Sequence, residues 1–79
     1  MTLKDLGEIL EKMYYNAPKG SKILMVQLFG IKYADKINKL AYSYEDIAEQ
    51  ANISRNHGFN ISTGIKLTEF VTLNDDAII

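Results

Sequence analysis

Two helix-capping signals stand close together in SYEDIAEQANIS, residues 43 to 54. Between them there is room for one short helix and a tight corner, and little else. Ser43 with Asp46 three residues on is a near-match to a capping box. Ile47, Ala48 and Ala51 give that helix its buried side. Asn52 tolerates the left-handed conformation that ends a helix. Ile53 follows as an apolar plug, and Ser54 caps the next segment. The spacing predicts a helix over 44–51 and another over 55–63, closed by Gly64 as a C′ glycine.

The rest of the chain supplies partners for this corner. Leu3, Leu6, Ile9, Leu10, Met13 and Tyr14 form a helical stripe. Thr2 with Asp5 is a second capping box, and Asn16-Ala17-Pro18 is a stop, so the first helix is predicted over 3–15. Lys19-Gly20-Ser21 reads as a turn with Ser21 as N-cap. A helix follows over 22–39, in one piece or two; Gly30 breaks or bends it, or lets another helix pack close. It is apolar on more than one side, which places it at the centre of the core. Residues expected to be buried are Leu6, Ile9, Leu10, Leu24, Leu28, Ile37, Ile47, Ala48, Ile53 and Ile61. The ending IKLTEFVTLNDDAII reads as an extended arm or a short hairpin turned at Asn74-Asp75, and its acidic, apolar close hints at a longer chain.

At 79 residues the chain makes one domain, spanning 1–79. The expected architecture is all-α: a compact four-helix bundle containing a helix-turn-helix, with a short extended C-terminal arm. Cysteine is absent, so there is no disulfide framework and no thiolate metal site. No apolar run is long enough to span a bilayer. The stretch MTLKDLGEIL lacks the basic region of a signal peptide, which makes the cytoplasm the expected location.

A helix-turn-helix needs a small residue in its first helix, a residue tolerating positive φ at the turn, an apolar plug after it, and a polar outer face on the second helix. Ala48, Asn52 and Ile53 fill the first three positions. Arg55, Asn56, Phe59, Asn60 and Thr63 would form the outer face. Arg, Asn and Thr are side chains that bond to base edges and phosphates. Candidate DNA-binding residues are therefore Arg55, Asn56, His57, Asn60 and Thr63, with Lys66, Lys22 and Lys32 on phosphates. The formal net charge of −1 opposes this reading, since phosphate neutralisation drives DNA affinity. The distribution favours it: residues 50 to 68 hold Arg55 and Lys66 and no acid. The alternative is a protein-interaction module, an adaptor or inhibitor that uses its acids and five tyrosines, or a homodimer.

Other chemistry finds little footing. His57 is the only histidine, and no carboxylates cluster around it in sequence. Ser54 and Ser62 lie near it without a third orienting group. Gly58 and Gly64 do not form a phosphate-binding loop. No catalytic residue, metal, cofactor or small-molecule substrate is expected.

The segments LFGIKYADKI, SYEDIAEQANIS and STGIKLTEFV resemble a small helix-turn-helix-like domain of bacterial proteins. That domain occurs alone or fused to larger proteins, some linked to restriction and phage defence. The resemblance covers nearly the whole chain and implies a compact helical bundle. Two departures stand out. His57-Gly58-Phe59 puts a glycine inside the second helix of the motif, and Asn52 replaces the commoner turn glycine.

Overall fold

The computed structural model describes residues 1–73, so the hairpin expected at Asn74-Asp75 lies outside the described residues. Among them there are five α-helices and no strand. The helices are α1 (Leu3–Tyr15), α2 (Lys22–Lys32), α3 (Ala34–Asn38), α4 (Tyr44–Gln50) and α5 (Gly58–Leu67). A 3-10 turn over Arg55–His57 leads into α5. None of the helices is long and apolar enough to cross a membrane.

Local sequence accounts for the starts of α1 and α4. Thr2 and Asp5 make the full reciprocal capping box of α1: the Thr2 hydroxyl accepts from the Asp5 N–H at 3.1 Å, and the Asp5 carboxylate accepts from the Thr2 N–H at 3.0 Å. The bond from the Thr2 backbone, then that from its side chain, holds the Asp5 carboxyl below its ordinary value. Ser21 stands at the start of α2, but its side chain makes no capping bond.

The apolar stretch that follows does break, three residues later than Gly30. Tyr33, at φ −108° and ψ 17°, separates α2 from α3. Gly30 instead lies unbroken within α2, because its bare backbone is needed for packing. A β-carbon there would meet the Ile61 carbonyl oxygen at 2.5 Å and the Gly64 Cα at 3.1 Å. Gly64 answers from α5: its own β-carbon would run into the Gln27 carbonyl oxygen and come within 3.0 Å of the Gly30 Cα. Gly64 is therefore not a C′ cap. It is buried inside α5, which runs on to Leu67.

The core forms around this glycine contact. Leu6, Leu10, Val26, Phe29, Ile37, Ile47, Ala48, Ala51 and Ile61 are fully or almost fully buried, with Met13, Ala34 and Ile53 close behind. Ile9 and Leu28 are half-buried against this cluster. Leu24 is 53% exposed, contrary to expectation. Because α2 is apolar nearly all round, its pattern admits more than one inward face. The face chosen is the one carrying Gly30, which lets α5 approach, and that turns Val26 and Phe29 inward and Leu24 outward.

Candidate nucleic-acid interface

The corner between α4 and the 3-10 turn is built by α4's two ends. At its start, the Ser43 hydroxyl accepts from the Asp46 N–H at 3.1 Å, and the Asp46 carboxylate accepts from the Ser43 N–H at 3.3 Å. At its end, the Ile53 N–H donates to the Ala48 carbonyl and the Asn52 N–H to the Glu49 carbonyl. These are the two bonds of a Schellman closure, with Asn52 in the left-handed position at φ 60°. Ile53 then packs into the core beside Ala48. Asn52 is also tied to α1: its amide donates to Glu11 Oε2 at 3.2 Å, and its carbonyl accepts from the Tyr15 hydroxyl at 2.6 Å. The Ser54 hydroxyl accepts from the Asn56 N–H at 3.2 Å and opens the 3-10 turn.

Two further glycines set how closely the helices meet at this corner. Gly7 of α1 lies where a β-carbon would strike the Gln50 side chain at the end of α4. Gly58, the first residue of α5, lies against the first turn of α4. A β-carbon there would strike the Glu45 carboxylate and come within 2.9 Å of the Glu45 backbone nitrogen. Gly58 is thus at the head of α5 rather than in its interior, and its neighbour is Glu45. The carboxylate can swing aside but the backbone cannot. Gly58→Ala is therefore expected to lower stability by about 1 kcal/mol, the low end of overpacking. A thermal melt that shifts upward would contradict this contact.

The candidate residues fall into two groups. Asn56, Phe59, Thr63 and Lys66 follow one another at helical spacing along the outer side of the 3-10 turn and α5. Asn56, Phe59 and Lys66 are exposed, and Thr63 is half-buried with its hydroxyl donating to the Phe59 carbonyl at 3.1 Å. His57 and Asn60 are half-buried and bonded to each other, with the Asn60 amide 3.2 Å from His57 Nδ1. The His57 ring stands edge-on to Tyr14 at 5.1 Å. Lys22 joins this second group. Its ammonium donates to the Tyr14 carbonyl at 3.1 Å and lies 4.5 Å from the centroid of the Tyr14 ring. Lys32, at the other end of α2 about 15 Å further along the axis, stands over Tyr33 instead.

Arg55 is held by acids. Its guanidinium lies 3.3 Å from Asp46 Oδ1 and 3.3 Å from Glu49 Oε2, in the open with about half its side chain exposed. The pairing raises the Arg55 pKa, through Asp46 first and Glu49 second. Asp46 is held below its ordinary value by the Ser43 backbone and side chain and then by Arg55. The stretch from 50 to 68 is free of acids in sequence, but the corner folds it onto Glu45, Asp46 and Glu49 of α4. Phe59 is the one outer-face position that the list of candidate readers passed over, and it is 74% exposed.

A short helix capped at both ends, a turn residue at positive φ, a buried plug and a second helix with a water-facing stripe define a helix-turn-helix type of domain. The chain belongs to the HTH-like domain family, whose sequence model matches residues 2–74. No curated protein and no solved structure matches the chain.

Proposed function

We propose that this is a non-enzymatic module that binds double-stranded DNA, with α5 entering the major groove. The observation that carries the reading is the rigid corner at Asn52, which presents Asn56, Phe59, Thr63 and Lys66 as one outward stripe. In a helix-turn-helix, the start of the second helix meets base edges and its surroundings meet phosphates. On this reading Asn56 meets bases, and Arg55 joins it by leaving its exposed acid partners, which hold it weakly. Asn60 and His57 lie on the flank nearest Lys22. Lys66, Lys22 and Lys32 serve phosphates. Few cations are available, so a single copy binds weakly, and useful affinity comes from a dimer or from fusion to another domain. The role is that of a small regulator or of the targeting piece of a larger protein, in the bacterial cytoplasm or in a phage.

Anisotropy of a labelled duplex at low salt tests this. Affinity is expected to fall steeply as salt rises, since each neutralised phosphate releases counterion. Lys66→Ala should weaken all sequences alike and lower the salt slope by about 1, while Asn56→Ala should relax sequence preference. No binding at about 100 µM protein and low salt would contradict the proposal, because non-specific Kd values lie at roughly 1–100 µM at physiological salt and tighten as salt falls.

A second reading has its own observation. Glu45 lies against the head of α5 and Asp46 and Glu49 against Arg55 just before it, and Phe59 and Phe70 stand 74% and 79% exposed. Acids beside exposed aromatics suit a protein partner, with the domain acting as an adaptor or inhibitor in a defence system. Failure of every DNA titration would make this the leading reading.

A further inference from the structure

We propose that Phe59 reads the 5-methyl group of thymine, so that the domain prefers duplexes presenting a methylated pyrimidine in the major groove. This rests on the DNA reading above and names what that surface selects. Phe59 is the second residue of α5, in the turn that enters the groove first. Its ring is 74% exposed, lies outside the core cluster and stacks on no other ring among the described residues. The exposed ring is apolar area that a ligand can cover, and covering it is favourable.

The neighbours of the ring limit what that ligand is. One turn ahead, the Thr63 hydroxyl is turned back onto the Phe59 carbonyl at 3.1 Å, so it does not compete for the space beyond the ring. One turn behind, Asn56 is exposed, and its side-chain amide makes no hydrogen bond among the described residues. A phenyl ring carries no donor or acceptor. The major groove has one apolar feature, the C5-methyl of thymine. An asparagine amide matches the N6 and N7 of adenine. An exposed phenyl beside a free amide is therefore complementary to A·T pairs and discordant with the polar edge of G·C. Cytosine methylated at C5 offers the same methyl group and should gain from Phe59 in the same way.

The test uses a short duplex of alternating adenine and thymine, and the same duplex with uracil in place of thymine. Wild type should bind the uracil duplex about fourfold more weakly, the effect of the one methyl that the Phe59 ring covers. Phe59→Ala should bind the two alike, while melting as wild type does, because the ring is outside the core. A duplex of alternating guanine and 5-methylcytosine should bind wild type more tightly than its unmethylated counterpart, with the gain absent in Phe59→Ala. Indifference of wild type to the methyl group, or a preference that survives in Phe59→Ala, would overturn this inference and leave the DNA reading intact. Failure to bind any of these duplexes at low salt would overturn both.

Discussion

Gly64→Ala is expected to lower the stability of the domain by about 3 kcal/mol, at or above the upper end of ordinary overpacking. The reason is the kind of atom the new methyl meets. At Gly58 the first obstacle is the end of a glutamate side chain. At Gly64 it is the Gln27 carbonyl oxygen, followed by the Gly30 Cα at 3.0 Å. Both belong to the α2 backbone, which yields only if the two helices move apart. Separation would loosen Val26, Phe29 and Ile61 together, since all three are buried along this contact. A domain of this size has a total stability of roughly 5 kcal/mol. The melting temperature should therefore fall by about 15 °C. Gly30→Ala should act in the same direction, and the double variant should cost less than the sum, because the first change already parts the helices. An unchanged melting temperature in Gly64→Ala would mean that α2 and α5 do not meet through these glycines.

Phe29→Ala is expected to have the larger effect, about 3–5 kcal/mol, which is close to the whole stability of the domain. Phe29 is fully buried, and its ring centroid lies 5.4 Å from that of Tyr33, where α2 gives way to α3. Removing the ring opens a cavity in the core cluster beside Tyr33. Circular dichroism at room temperature should show partial loss of helix, and urea should no longer give a sharp transition. Phe29→Leu keeps most of the volume and should cost less than about 1.5 kcal/mol. A Phe29→Ala protein that melts within a few degrees of wild type would contradict the packing described for α2.

The parts of this fold that were legible in the sequence are those written within a few residues. The boxes at Thr2–Asp5 and Ser43–Asp46 and the closure at Asn52-Ile53 each depend on neighbours along one turn, so local chemistry determines them. Gly64 reads locally as a cap, and Gly30 as a break, a bend or a place where another helix packs close; the structure takes the last of these for Gly30 and overturns the cap at Gly64. Their purpose is mutual: each is small because the other helix lies on it, and residues so far apart in sequence leave no periodic trace of that contact. Leu24 failed for a related reason, since a helix apolar on several sides does not declare which side α5 will take. The same limit held for Arg55. An acid-free stretch looked basic, yet a tight corner after α4 must fold it back beside Asp46 and Glu49. That consequence was available once the corner itself had been recognised. The outward stripe of α5 was half legible: its polar members drew notice by their chemistry, while Phe59 became conspicuous only through its exposure.

Whether the water-facing stripe of α5 meets duplex DNA is read out residue by residue in amide chemical shifts. The isotope-labelled domain would be titrated with a short duplex at low salt and followed by NMR. The largest changes should fall on residues 54 to 66, centred on Asn56, Phe59 and Thr63, with smaller ones near Lys22 and little change at Asp35 or Lys36. Changes confined to α1 or α3, or none at all, would contradict DNA contact through α5.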